Sequence, residues 1–140
     1  MPSARETAIL ALEAAARRTG AEVWRGSDLE RAIPAEGLIQ IAEGEYVAEA
    51  ILSPLAWSHE MPAEVTVMVT SADETLRDAA LDSLLLSLSG VLQADLTLGG
   101  AVEYTDIGTP QFLAFEADGA AKAAQLSVTL CFLSAGSPLT

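Results

Sequence analysis

The sequence predicts an α+β domain in which a mainly antiparallel sheet carries two helices on one face. Apolar residues recur at helical spacing over residues 4 to 18 and again over residues 74 to 92. Runs of alternating apolar and polar residues, typical of half-buried strands, fill much of the remaining chain. Because the strands come in blocks after each helix, we expect a layer of two helices on one side of the sheet.

The first helix is predicted over residues 4 to 18. Ile9 and Leu12 belong to one apolar stripe, Ser3 stands at an N-cap position, and Gly20 follows as a C-terminal stop. These signals agree with one another, so the helix has a defined start, apolar face and end.

The next segment predicts three short strands and a loop. Residues 22 to 26 form a strand candidate in which Trp24 would pack in the core. Residues 38 to 52 predict two strands joined by a tight turn at Gly44. Residues 53 to 63 are predicted to be a loop between prolines.

A strand and a helix follow in direct succession. The strand has an apolar face, Val65, Val67 and Val69, and a second face formed by Glu64, Thr66, Met68 and Thr70. The helix over residues 74 to 92 can be capped by Asp73 or Ser71. Its leucine stripe is wide enough to predict burial on more than one side.

The last third predicts further strands within one 140-residue domain. An irregular strand is expected near residues 101 to 104, followed by two alternating runs on either side of Asp118 and Gly119. Residues 1 to 3 and 134 to 140 are expected to be flexible ends, and no internal repeat is evident. In the final run, Leu126, Val128, Leu130 and Phe132 share one face, and Gln125, Ser127, Thr129 and Cys131 share the other.

The charge balance excludes whole classes of function. Twenty acidic and seven basic side chains give a formal net charge of −13. Binding to nucleic acid or to an anionic membrane surface depends on clustered lysine and arginine, so neither is expected. The apolar runs are shorter than the roughly 20 residues that span a bilayer. We therefore expect a protein made and kept in the cytoplasm.

Residues capable of chemistry are few and isolated. His59 is the only histidine and is expected to lie in a surface loop, while Cys131 alternates within a strand and lacks a histidine partner. Neither a phosphate loop nor paired cysteines occur. No catalytic, cofactor or metal site is predicted, although the pairs Glu43 with Glu45 and Asp78 with Asp82 leave weak cation binding as an alternative to solvated surface charge.

An interface is the more informative prediction. Trp57 lies in the proline-framed segment, where its indole either folds back on the domain or anchors a protein contact. Leu55 stands beside it, and Glu43 and Glu45 flank the preceding turn. We predict that these four residues contribute to a contact with another subunit.

The order of segments resembles the tail terminator, or minor tail completion, proteins of long-tailed bacteriophages and gene transfer agents. The similarity covers about residues 5 to 133 and depends on segment order and length. It includes the helix ending at residues 17 to 20, the strand "EVWRG", the entry strand at residues 34 to 45, "AEVTVMVTSADETLRDAALDSLLLSL" and the closing "GAVEYTDIG…FLAFEADGAAKAAQLSVTLCF".

This resemblance implies a structural, non-enzymatic subunit. Such a subunit forms a hexameric ring with copies of itself, caps the finished tail tube and offers a surface to the head. Its expected partners are the tail tube protein and a head-tail connector, and DNA would only pass through the channel. It would reside in the host cytoplasm during assembly and then in the particle's tail. The alternatives are another head-tail connector or adaptor, a tail tube protein, or a small cytoplasmic enzyme.

Overall fold

The computed structural model describes residues 2–26, 32–45, 47–52, 55–114 and 121–140. Both helices lie on one face of a seven-stranded, mainly antiparallel sheet, which confirms the predicted α+β class. In chain order the elements are α1 (Ala4–Arg17), β1 (Glu22–Arg25), β2 (Leu38–Glu43), β3 (Val47–Leu52), β4 (Leu55–Thr70), α2 (Glu74–Ala94), β5 (Tyr104–Ile107), β6 (Gln111–Ala114) and β7 (Ala121–Ala135).

Two long strands, β4 and β7, form the centre of the sheet. They pair antiparallel from Ala56 opposite Ala135 to Thr70 opposite Ala121. The strand order is β1-β2-β4-β7-β5, with β3 also paired to β4 and β6 also paired to β7. Only the β1–β2 pair is parallel. The outer strands are therefore short: in the described residues β1 pairs with β2, β3 pairs with β4, and β5 and β6 pair with β7.

The core lies between the helices and the helix-facing side of this central pair. The predicted alternation is confirmed, since the valines of β4 and the apolar face of β7 are buried there. The buried side chains include Ile9 and Leu12 of α1, Leu81, Leu84, Leu88 and Leu92 of α2, Val65, Val67 and Val69 of β4, and Leu126, Val128, Leu130 and Phe132 of β7.

Both helices begin where the capping signals place them. The Ser3 hydroxyl accepts a hydrogen bond from the Glu6 amide at 3.2 Å, and the Asp73 carboxylate accepts one from the Leu76 amide at 3.1 Å. Each cap satisfies an amide that has no partner within its helix. After α1, Gly20 adopts a positive φ of 89°, which lets the chain turn back into β1.

The predicted loop at residues 53 to 63 is wrong for residues 55 to 63, which belong to the 16-residue strand β4. Residues 53 and 54 lie outside the described residues. Proline usually marks the interruption of a strand because it cannot donate to the ladder. Pro62 is tolerated because it lies opposite a bulge, where its carbonyl accepts a hydrogen bond from the Gly44 amide at 2.8 Å.

The prediction of two strands within residues 38 to 52 is confirmed, but they do not form a hairpin with each other. Strands β2 and β3 lie end to end along the same side of β4. The register advances by one residue between them, at Gly44. A Cβ atom at Gly44 would lie 2.4 Å from the Pro62 carbonyl oxygen, so the bulge requires glycine.

The second half of the sheet repeats this arrangement, although the sequence shows no repeat. Strands β5 and β6 lie end to end along β7, again with a one-residue register change. The Gly108 amide donates to the Ser127 carbonyl at 2.8 Å, as Gly44 does to Pro62. The two halves therefore share one pattern: a helix, then two short strands that lie end to end, then a long central strand.

Three further expectations need adjustment. The strand expected near residues 101 to 104 is instead β5, because residues 96 to 101 form turns. Trp24 is half-buried on the side of the sheet without helices, where it packs against Leu38, Met68 and Ala123. Helix α2 buries one side, and its Leu76 and Leu86 are exposed, so the described residues do not supply the expected second contact.

The chain end contacts the first helix. Residues 136 to 140 form a turn after β7, and the Thr140 carbonyl accepts a hydrogen bond from the Ala4 amide at 2.9 Å. Ser134, within the segment expected to be flexible, is buried in β7. The turn therefore covers the start of α1 in this structure.

Candidate functional site

A hairpin with exposed apolar side chains lies at one end of the sheet, where its β4 strand also pairs with β7. We call this hairpin, formed by β3 and residues 55 to 60 of β4, the apolar arm. Leu52 is 82% exposed, Val47 64% and Leu55 56%. The charged residues of the arm are Glu49 and Glu60, and its histidine, His59, is buried. Several exposed apolar side chains close together are typical of a surface that contacts another protein.

The arm contains two of the four predicted interface residues. Leu55 pairs with Leu52, while Trp57 lies between Ala50 on β3 and Ser134 on β7. Leu55 and Trp57 are two residues apart on one strand and so point to the same face. The Trp57 side chain is half-buried, so part of the indole remains available to a partner.

Glu43 and Glu45 lie elsewhere, near the bulge at the far end of β3. Glu43 is engaged within the chain, since Arg5 binds its carboxylate at 2.7 Å and Arg25 forms a second ion pair with it. Glu45 is exposed. The structure thus brings together Leu55 and Trp57, while the contribution of the two glutamates to an interface stays a prediction.

Arg25 links three elements at this point. Its guanidinium also donates to both oxygens of Glu6, at 2.6 and 2.9 Å, which ties α1 to β1 and β2. The hydrogen bond from Arg25 holds the pKa of Glu6 below its ordinary value, and the same bond raises the pKa of Arg25. Since these groups are largely solvated, the network orients the helix more than it stabilises the fold.

His59 is buried, and the prediction of a surface loop histidine is wrong. It is 1% exposed in β4, and its ring stacks on Phe132 with centroids 4.7 Å apart. Its Nε2 lies 2.7 Å from the Ser134 hydroxyl, which donates to the Ser137 carbonyl. The hydroxyl therefore accepts from Nε2–H, and burial lowers the pKa of His59, so the neutral ring is favoured.

This geometry does not activate a nucleophile. The Ser134 proton points to a carbonyl instead of the imidazole, whereas a catalytic serine donates to its base. For Cys131, burial and then the carboxylates of Glu60, Asp106 and Glu103 raise the pKa of the thiol. A thiol that resists ionisation is a poor nucleophile. Both residues therefore serve packing at the base of the apolar arm.

The carboxylate pairs considered for cation binding do not form a cluster. Asp78 binds Lys122 at 2.5 Å, joining α2 to β7, and Glu43 is held by arginine. Among the described residues, no group of three or more histidine, cysteine or acidic side chains is placed to hold a metal. Within the same residues, neither helix has the length and apolar character that crossing a bilayer requires.

Charge is distributed unequally between the two faces of the sheet. Every basic residue in the described part of the chain lies on a helix or at a helix-facing strand position. On the opposite face, which has no helices, the charged side chains of the described strands are all acidic: Glu22, Glu49, Glu60, Glu64 and Asp106. Composition alone does not show this segregation, because it depends on strand pairing.

A cavity of about 410 Å³ lies on this acidic face between the two bulges. Gly44 and Pro62 line one side of it, and Thr109 and Ser127 the other. The Glu64 carboxylate accepts a hydrogen bond from the Gln125 amide within the cavity wall. The cavity is a wide, shallow depression in the sheet surface, and the Glu64 and Gln125 side chains in its wall bond to each other.

No family model matches the chain, and no curated protein matches it. Among solved structures, a chain of the virion of a native gene transfer agent particle is similar, with a TM-score of 0.41 and 9% sequence identity. The alignment covers 92% of this chain and 90% of that chain.

Proposed function

We propose that this chain is a structural subunit of a phage or gene transfer agent tail. In this proposal, copies of the chain assemble into a closed ring, most simply of six, on the end of the tail tube. The ring ends tube polymerisation and provides the surface to which the head joins. Its partners are other copies of itself, the tail tube protein and a head-tail connector.

The observation that carries the proposal is that the sheet has an open edge on each side. Strands β1 and β3 form one edge and β5 and β6 the other, and in the described residues no strand covers them. Edge strands with exposed apolar side chains promote association, which soluble monomers normally prevent. Because the two edges differ, head-to-tail contacts between copies generate a ring when the rotation closes.

The charge distribution supports passage of DNA without binding. The helix-free face carries only acidic charge in the described strands. Carboxylates repel phosphates and release no counterions from DNA, so such a face has little affinity for the duplex. A ring whose channel is lined by this face would let DNA slide through.

Light scattering across protein and salt concentration, followed by negative-stain microscopy, tests the assembly. We expect closed rings with a mass near six subunits. Added to polymerising tube protein, the chain should shorten the tubes and occupy one end of each. A mass of one subunit at every concentration, even with purified tail tubes present, would contradict the proposal.

A further inference from the structure

Residues 136 to 140 fold back beside the base of the apolar arm, and we call this segment the strap. Gly136, with a positive φ of 82°, turns the chain away from β7. The Thr140 hydroxyl donates to the Ala135 carbonyl at 2.7 Å, and the Thr140 carbonyl accepts from the Ala4 amide at 2.9 Å. The strap is therefore held by β7 on one side and by the start of α1 on the other.

The strap lies over two aromatic rings of the sheet. A cavity of about 110 Å³ is lined by Pro138 and Leu139 of the strap and by His59 and Phe132 of the sheet. His59 and Phe132 are 1% and 2% exposed, whereas Leu139 is 82% exposed. The strap thus covers the rings while burying little of itself, and a segment with few buried contacts can open without unfolding the rest of the chain.

A chain of two hydrogen bonds connects the His59 ring to the strap. Its Nε2 lies 2.7 Å from the Ser134 hydroxyl, and that hydroxyl donates to the Ser137 carbonyl at 2.9 Å. Ser134 is buried, so both bonds are shielded from water while the strap is closed. A change at the imidazole therefore acts on a group that also holds the strap.

The closed strap opposes a positive charge on His59. The strap residues have no ionisable side chain, and Arg5, which lines the same cavity, is a cation paired with Glu43 at 2.7 Å. Glu60 and Glu49 lie at strand positions that point to the opposite face of the sheet. The first turn of α1 contributes partial positive charge. In these surroundings burial lowers the pKa of His59.

We propose that the strap is a pH-operated cover, which protonation of His59 releases to expose the His59 and Phe132 rings. Leu55, Trp57 and His59 alternate along β4 and so share one face, which makes the uncovered rings continuous with the apolar surface of the arm. Opening therefore enlarges the surface that the arm offers to another protein. The inference concerns a single copy and holds whether or not copies form a ring.

The pH at which the strap opens follows from linkage between opening and proton uptake. With the strap open, the hydrated ring takes up a proton near the ordinary histidine pKa of about 6.5, whereas the closed state takes it up only at lower pH. Closure is therefore at full strength above about pH 6.5 and weakens below it. Since one proton is involved, the ratio of closed to open strap falls by at most about tenfold for each pH unit.

Amide exchange measured by NMR between about pH 7.5 and 5.5, at low salt to favour single copies, tests the strap directly. His59 is the only histidine, so one ring signal reports its protonation. The Ala4 amide, bonded to the Thr140 carbonyl, reports closure, and the Val67 amide reports the core. We expect the protection of Ala4, corrected for intrinsic exchange, to fall as His59 takes up its proton, while Val67 stays protected.

His59→Gln is the matched control, because glutamine can donate to Ser134 and does not titrate. Its Ala4 protection should stay constant over the same pH range. Ala4 protection that stays constant in the parent protein while His59 gains its proton, or that falls equally in His59→Gln, would overturn the inference. Loss of Ala4 and Val67 protection together would also overturn it, because the whole fold and not the strap would then be opening.

A second variant acts on the strap without altering His59. Gly136→Ala places a side chain at a left-handed backbone position with open space around it, so it strains the turn and causes no clash. We expect lower Ala4 protection at every pH, with the protection of Val67 unchanged. Parent-like Ala4 protection in this variant would show that the turn at Gly136 does not hold the strap closed, contrary to the proposal.

Discussion

Trp57 occupies the one position where a half-buried aromatic residue lies on the apolar arm. A Trp57→Ala substitution should leave the subunit folded, because the arm lies outside the main core. It should weaken association by roughly 2 kcal/mol or more if the indole is a hot spot. Thermal melts and sizing measure the two effects separately. The control is Val67→Ala, which removes a buried core side chain and should lower the melting temperature itself.

The Trp57 prediction has two contrary outcomes. A Trp57→Ala protein that melts as early as Val67→Ala would place the indole in the subunit's own core. One that melts normally and assembles fully would make the indole an exposed residue without a role in the ring.

His59 should make stability depend on pH in a defined window. Burial lowers its folded-state pKa, so the unfolded chain binds a proton more readily than the folded one. Stability is then complete above about pH 6.5, the ordinary pKa of histidine, and falls as pH drops below it. Arg5 lines the same cavity and adds no negative charge that would favour the protonated ring.

Melting temperatures between pH 7.5 and 5.5 check the His59 prediction, with His59→Gln as the matched variant. The parent protein should lose stability across this range, and the variant should lose much less. Equal slopes in both proteins would show that another group is responsible. Carboxylates such as Glu6, whose pKa is lowered by Arg25, act only at lower pH and therefore do not interfere.

At the scale of single elements, replacing glycine by alanine should change stability in opposite directions at the two bulges and in helix α2. A Cβ atom at Gly44 or Gly108 would lie 2.4 or 2.7 Å from a carbonyl oxygen. Gly44→Ala and Gly108→Ala should each destabilise the fold by roughly 1–3 kcal/mol. Gly90 lies in α2 with open space around it, so Gly90→Ala should stabilise by roughly 0.5–1 kcal/mol. Urea unfolding of the three variants compares them on one scale.

Similar effects at all three glycines would show that the bulges can shift without cost. The repeated arrangement of the two halves of the sheet leads to a further expectation, because Gly44 and Gly108 occupy equivalent positions in them. Their variants should therefore lose similar amounts of stability, even though no residue pattern around them is shared.

The elements show where sequence reasoning succeeds. Caps and alternation depend on neighbours in the chain, so Ser3, Asp73 and the valines of β4 were predictable. The extension of β4 through Pro62 and the burial of His59 depend on β3 and β7, which are distant in sequence. For the same reason the location of Leu55 and Trp57 on a strand could not be predicted, and their role in an interface stays a prediction.

At the scale of the whole molecule, strand pairing decides what composition leaves open. The excess of acidic residues predicts repulsion from phosphate, but only the register shows that the described strands place acidic residues and no basic ones on the helix-free face. Likewise, β1 and the uncharged strand β6 are recognisable as strands on opposite edges of the sheet only once the strand pairing is known. Strand pairing thus determines both which face of the sheet is acidic and which strands form its edges.

Assembly should strengthen as salt is added. Each copy carries a formal charge of −13, so copies repel one another until counterions screen them. The screening length falls from about 30 Å at 0.01 M salt to about 8 Å at 0.15 M. Counterions that screen this repulsion therefore favour association. Light scattering at fixed protein concentration should show the ring fraction rising over this range, and divalent cations should act at lower concentration. A ring fraction that declined steadily with salt would mean that ion pairs between copies hold the ring, which would contradict this prediction.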